Sequence, residues 1–425
     1  PRPSCAPCII EHAENYCHTR CCEFSCFVYS LFIVTRHVST LLDAKLESER
    51  CDQWAPDSVS ASASGSSDEK PMPRRPRWRM ALAALLVLAA LGAALALPLA
   101  LGGGGRATPE QRLTTINNFN LSVGAQFWSA YVPCGASDRD AVQLALEQID
   151  VIRRIVDMNG VHLALATSAS QLLEIHREGR VASLIGVEGG HALGDSLGVL
   201  RAFYQLGARY LTVTHTCSTR WAHAAGSPGG LTEFGKAVVR EMNRLGMIVD
   251  LSHAGEETAR DALRTSQAPV VFSHSGVGAL CNTSRNVPDD LLRMVAANGG
   301  VVMISFYTKL VGCGSTAELE DVVAHINHVR RIAGVEHVGL GAGYDGIDGT
   351  PGGLQDVSRY PHLLAELLRD PAWSEADVQR LAGLNVVRVL RDVERLRDQW
   401  RRAAVLPGEE TLLHSSEPIR STCTY

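Results

Sequence analysis

Val181-Ala182-Ser183-Leu184-Ile185-Gly186-Val187-Glu188 is an apolar run of strand length that ends on a carboxylate. Three more runs end in the same manner: residues 210–214 before His215, 247–251 before His253 and 269–272 before His274. A polar or helical stretch follows each. Parallel strands that deliver His or Glu at their C-terminal ends are how a β/α barrel gathers metal ligands at one mouth. One such strand is coincidence, whereas a series of them is a pattern.

The alternation continues on both sides. Residues 139–158 carry a helical period (Val142, Leu144, Leu146, Ile149, Ile152, Ile155), and a strand at 162–166 and a helix at 169–178 follow. Helices are expected at 196–206, 232–245 and 256–265 between the ligand-bearing strands. Later units span 288–297, 300–306, 319–333 and 337–341, with terminal helices at 360–368 and 376–393. Strand-then-helix repeated this often predicts an α/β fold with a parallel sheet. Ligands on several strand ends favour a closed (β/α)8 TIM-like barrel, because one mouth must collect them.

Each candidate residue has a chemical reason. Glu188 sits in Gly-Val-Glu-Gly-Gly-His (186–191), and a carboxylate at the end of an apolar strand is costly to bury unless something pairs with it. His253 and His274 each follow a serine, and neutral imidazole is a zinc ligand. His215 is similar, with substrate contact as the competing role. Arg285, shortly after His274, suits a substrate carboxylate.

Composition sets the bounds. The chain has 425 residues, 46% hydrophobic and 20% charged, enough for one large domain with attached segments. A formal net charge of −5 and no basic stripe with interleaved aromatics in the globular part argue against nucleic acid as a partner. Residues 1–71 have no clear period and read as a low-complexity tail; Cys5, Cys8, His12, Cys17 and His18 offer a zinc-knuckle alternative. Residues 72–79 are a basic flank, and 80–101 form an uncharged run long enough to cross a bilayer as one helix. The arginines before that run hold its N-terminal side in the cytosol, so the remainder is expected outside the plasma membrane as a single-pass protein. A cleaved signal ending near Gly105 is the alternative, and both place the domain in the secretory pathway. Residues 102–120 read as a linker, 121–400 as the catalytic domain and 401–425 as a C-terminal tail. The cysteines after the membrane run, Cys134, Cys217, Cys281, Cys313 and Cys423, allow two internal disulfides and one bond between chains. Asn120 and Asn282 open glycosylation tripeptides.

Several long strings then resemble the membrane (renal-type) dipeptidase family, peptidase family M19, in the metallo-dependent hydrolase superfamily. They are VGAQFWSAYVPC (123–134), SLIGVEGGH (183–191), YLTVTHTC (210–217), EMNRLGMIVDLSH (241–253), APVVFSHS (268–275) and RNVPDDL (285–291). The resemblance implies hydrolysis of dipeptides, cysteinyl-glycine and leukotriene-type substrates included, by two zinc ions sharing a hydroxide. It implies that Glu188 bridges the metals, that His253 and His274 hold one of them, and that His215 and Arg285 bind the dipeptide. It also implies disulfides Cys134–Cys217 and Cys281–Cys313, and a homodimer linked through Cys423.

The chain departs from that family in four places. The family's first barrel strand carries a His-x-Asp pair that completes the second zinc site, yet neither His nor Asp occurs between Gly105 and Val123. The barrel is therefore expected to lack its first strand, through an incomplete or exon-skipped chain or through loss of hydrolysis. Gly343 stands where active members have an Asp; Asp345 lies two residues on and would face the same way on a strand. The 218–230 loop is shortened, and no hydrophobic tail for a lipid anchor follows. These departures keep two other functions in view, a cell-surface binding protein and a different metal-dependent amidohydrolase.

Overall fold

A computed structural model describes residues 27–31, 123–314 and 316–412. Its main sheet runs through parallel strands in chain order. After β1 (Phe27–Leu31) come β2 (Ala125–Tyr131), β3 (Leu163–Leu165), β4 (Val181–Glu188), β5 (Ala208–Thr212), β6 (Ile248–Asp250), β7 (Val271–Ser275), β8 (Val301–Ile304) and β9 (Val338–Leu340). Each strand from β4 to β8 pairs in parallel with the next, and β2 pairs in parallel with β4. Short β3 borders the first residues of β4, on the edge that β5 continues.

Helices fill the connections: α1 (Ala141–Met158), α2 (Ala169–Arg177), α3 (Leu197–Gln205), α4 (Glu233–Leu245), α5 (Glu256–Thr265) and α6 (Asp289–Asn298). Short α7 (Thr308–Val311), α8 (Leu319–Ile332), α9 (Tyr360–Arg369), α10 (Glu375–Gln379) and α11 (Asn385–Arg402) complete the chain. Local sequence explains their ends. Ser168, Ser196 and Thr232 cap α2, α3 and α4 by accepting backbone N–H bonds, and Gly246 and Gly299 close α4 and α6 in the left-handed conformation. The expected terminal helix at 376–393 is broken. Wider turns at Arg380–Leu384, with Gly383 non-helical, separate α10 from α11.

The central strands are buried on both faces, as a helix-covered parallel sheet requires. The sheet is strongly curled. In a flat sheet three strand spacings would separate β4 from β7 by about 14 Å. Instead Glu188 at the end of β4 and His274 on β7 approach to 3.4 Å. This is a TIM-like α/β arrangement.

Closure differs from the expectation. Among the described residues β9 pairs only with β8, and the outer edge of β2 carries antiparallel β1, with Phe27 opposite Ser129 and Leu31 opposite Ala125. The strand Phe27–Leu31 also lies inside the segment read as a tail. The membrane run 80–101 and Cys423 lie outside the described residues, and no helix within them is long and apolar enough to cross a membrane.

Candidate metal centre

Four elements deliver the site. Glu188 is the last residue of β4, and it is buried. His274 lies inside β7, one residue before its end, where the sequence placed it after the strand. His215 and His253 stand three residues past the ends of β5 and β6. His253 adopts φ +65°, a left-handed conformation uncommon outside glycine. Two backbone bonds hold this bend: Ala225 N–H donates to the His253 carbonyl at 2.7 Å, and Ala254 N–H to that of Leu251 at 3.1 Å. Strain of this kind persists where the surroundings over-determine it, and it recurs at functional sites.

The side chains converge on one carboxylate oxygen. Glu188 Oε1 lies 3.3 Å from His253 Nε2, 3.4 Å from His274 Nε2 and 3.8 Å from His215 Nε2. Its other oxygen, Oε2, accepts a hydrogen bond from buried Ser129 Oγ at 2.9 Å. The two imidazoles meet, with His253 Nε2 2.8 Å from His274 Nε2. His215 stacks on His253 at 4.2 Å between centroids, and the Tyr131 ring lies 4.9 Å from His215. Burial pushes the imidazoles of His253 and His274 well below their ordinary range, and the nearby Arg285 charge acts in the same direction. Burial also lowers His215, opposed by Glu188. Neutral rings with free lone pairs are the form that ligates metal.

The residues present fit a metal ion. Glu188, His253 and His274 each offer one donor atom, all within 4.8 Å of one another and all buried. Two imidazole nitrogens and a carboxylate oxygen are a zinc-type donor set. Among the described residues His253 Nδ1 is buried without a hydrogen-bond partner.

Around this centre the structure adds residues that the sequence reading overlooked. Asp250 lies within the apolar run 247–251, and it is fully buried at the end of β6. It accepts from Thr212 Oγ1 at 2.6 Å, Ser273 Oγ at 2.7 Å, Ser252 N at 3.0 Å and Ser273 N at 2.8 Å. Burial raises its carboxyl, and these four bonds oppose the rise. The cost of burying a carboxylate, used above for Glu188, applies equally to Asp250. His191 is buried too, its Nε2 2.9 Å from the Val132 carbonyl. Nothing in its spacing distinguishes it from a packed histidine.

The remaining predicted residues divide. Arg285 is half-buried and donates to the His274 carbonyl at 3.4 Å, so it stands beside the cluster. Disulfides join Cys134 to Cys217 and Cys281 to Cys313. The first lies against the site, with Cys134 Sγ 3.7 Å from His215 Nδ1. Asp345 does not continue a strand. β9 ends at Leu340, and a turn closed by Gly346 N–H to the Gly343 carbonyl carries Asp345 exposed at φ +68°. Strand alternation therefore does not apply to it.

Comparison with known proteins gives a family and several relatives. The profile of the family described as "Membrane dipeptidase (Peptidase family M19)" matches residues 110–403. Dipeptidase 3 of Mus musculus is 48% identical over 285 residues, covering 65% of this chain and 57% of the relative. Dipeptidase 3 of Homo sapiens is 47% identical over 295 residues, covering 68% and 59%. The chain thus spans less than two thirds of the length of these relatives. Among solved structures, dipeptidase AC, a metallo peptidase of family M19, superposes with a TM-score of 0.59 at 28% identity, over 66% of this chain and 88% of that one. A metallo peptidase from Rhodobacter sphaeroides, liganded with a phosphinate mimic of the dipeptide L-Ala-D-Ala, superposes with a TM-score of 0.58 at 27% identity, over 63% and 86%.

Proposed function

Because this chain belongs to the membrane dipeptidase family, peptidase family M19, we propose that it is a zinc dipeptidase scaffold whose metal site is built from Glu188, His253 and His274. The observation that carries this reading is the meeting, within 4.8 Å of one another, of three buried donors from β4, β7 and the loop after β6. Zinc held there supplies Lewis acidity toward water and a scissile carbonyl.

The protein's own groups do the rest. Glu188 places Oε1 between the imidazoles, and Ser129 fixes the carboxylate plane through Oε2. His215, at the rim, donates a hydrogen bond to the oxygen on which charge develops. Arg285 pairs with the C-terminal carboxylate of a dipeptide, as a guanidinium fork suits. Asp345, in the exposed turn after β9, is assigned the substrate ammonium as part of this proposal. Small dipeptides, cysteinyl-glycine and leukotriene-type included, are the substrate class. The domain works outside the plasma membrane, tethered through the run 80–101 and paired through Cys423. Asn282 is exposed, as a glycosylated residue must be.

A second reading has its own observation. No His or Asp occurs between Gly105 and Val123, where the family's first-strand pair is expected, so this stretch offers no ligand for a second zinc. The protein then holds at most one zinc tightly, turns over poorly and serves as a surface binding protein. RNVPDDL and Arg285 favour dipeptides over the cyclic amides of another amidohydrolase.

Metal analysis of the purified chain, with a dipeptide hydrolysis assay, tests both readings. At most one zinc per chain and strongly reduced turnover are expected. Two zincs with ordinary hydrolysis overturn the impairment. No zinc in the wild type, or full retention in His253→Ala and His274→Ala, overturns the site.

A further inference from the structure

We propose that Asp250 is the positioning residue of the metal site. It fixes, through Ser273, which ring nitrogen of His274 carries the proton, and it holds both imidazole-bearing segments through Ser252 and Ser273. The inference rests on the reading of Glu188, His253 and His274 as metal ligands.

The hydrogen-bond directions follow from counting donors. Asp250 Oδ1 receives the backbone N–H groups of Ser252 and Ser273, and Oδ2 receives the hydroxyls of Thr212 and Ser273. Four donors match the roughly four lone-pair sites of an ionised carboxylate. The single Ser273 hydroxyl hydrogen is thereby committed to Asp250. Ser273 Oγ also lies 2.8 Å from His274 Nδ1, so its oxygen accepts and Nδ1 carries the hydrogen. His274 Nε2 is left as a bare lone pair beside Glu188 Oε1. The 2.8 Å contact between the two rings then places the shared hydrogen on His253 Nε2. His253 Nδ1 becomes a bare nitrogen, in agreement with its lack of a partner among the described residues. The opposite order, with Nε2–H on His274, would set Ser273 Oγ and Asp250 Oδ2 2.7 Å apart with no hydrogen between them unless Asp250 were neutral.

The same carboxylate acts on the backbone. Ser252 and Ser273 immediately precede His253 and His274, and Oδ1 clamps both of their amides. Ser252 Oγ in turn accepts from His274 N–H at 2.8 Å. One buried group therefore sets the spacing of two ligands on neighbouring strands. Partners of this type orient metal-bound imidazoles and raise their basicity; their loss lowers metal affinity by about 10–100-fold.

The test uses the full chain with ring-15N-labelled histidine, as wild type, Ser273→Ala, Ser273→Thr and Asp250→Asn. Long-range 15N–1H spectra of the metal-free protein, assigned with His274→Gln, report the His274 tautomer. Chelator competition reports the affinity for zinc alone. We expect a single Nδ1–H tautomer in the wild type. Ser273→Ala should mix the tautomers and bind zinc about 10–100-fold more weakly, with Ser273→Thr restoring both. An Nε2–H tautomer in the wild type, or unchanged tautomer and affinity in Ser273→Ala, overturns the proposal. Should Ser273→Ala lose the wild-type thermal transition, the wild-type tautomer decides alone. Absence of zinc binding by the wild type sinks the metal reading and the positioning role together. The wrong tautomer with zinc binding intact sinks the positioning role only.

Discussion

Breaking the Cys134–Cys217 disulfide should weaken the domain more than breaking Cys281–Cys313, and it alone should disturb the site. The two bonds close loops of 83 and 32 residues in sequence separation. Loop-closure entropy gives about 4.5 kcal/mol for the first and about 3.7 kcal/mol for the second at 25 °C. The dependence is logarithmic, so the longer loop adds only about 0.8 kcal/mol. Location separates them further. Cys134 follows β2, which carries Ser129 to Glu188, and Cys217 lies two residues beyond His215. The sulfurs also lie within 3.9 Å of His215 and His191 ring nitrogens. The assay is urea unfolding of Cys134→Ala/Cys217→Ala and Cys281→Ala/Cys313→Ala, followed by the fluorescence of buried Trp221 and Trp373. Zinc affinity is measured on the same samples. A loss below about 1 kcal/mol for either pair refutes the entropic argument. Equal zinc affinity in both pairs refutes the structural one.

Other expectations follow from single contacts. Asn286→Ala strips partners from Gly276 N–H and from the carbonyls of Cys281 and Leu310, each bonded at 2.8 Å. It should cost about 2–4 kcal/mol and loosen neighbouring Arg285, read as a lower unfolding midpoint and a raised KM; an unchanged midpoint contradicts this. His325 is buried and neutral, its Nδ1 accepting from Val277 N and its Nε2 donating to the Val311 carbonyl. Burial lowers its pKa. As pH falls below about 6.5, the unfolded chain takes up a proton that the native state refuses. His325 should contribute about 1.4 kcal/mol per pH unit to the loss of stability until its folded pKa is reached, and His325→Gln should remove that share while the slope from His253, His274 and His215 remains. Cys423→Ser should convert a reducible dimer to a non-covalent one, and an unchanged band on a non-reducing gel counts against the pairing.

Much of this was legible because charged and imidazole side chains at the ends of apolar runs are rare and costly. Glu188, His253 and His274 were found that way, and they do meet. The curl that brings them together was inferred from the need for a common mouth, since strand period is silent about closure. The edge of β2 shows the limit, because pairing with Phe27–Leu31 depends on partners far along the chain. Asp250 was missed because a four-donor cradle assembled from three strands leaves no local spacing. Ser129 hides for the same reason. The facing of Asp345 could not be read from alternation, which holds only while a strand lasts, and β9 stops at Leu340.

X-ray absorption at the zinc edge, on the full chain loaded with one equivalent of zinc, asks most directly where the metal sits. The account predicts a shell of nitrogen and oxygen at about 2.0–2.1 Å with the outer-shell pattern of two imidazoles, lost in His253→Ala/His274→Ala. Sulfur at about 2.3 Å, which the cysteines near the N-terminus would supply, would contradict it.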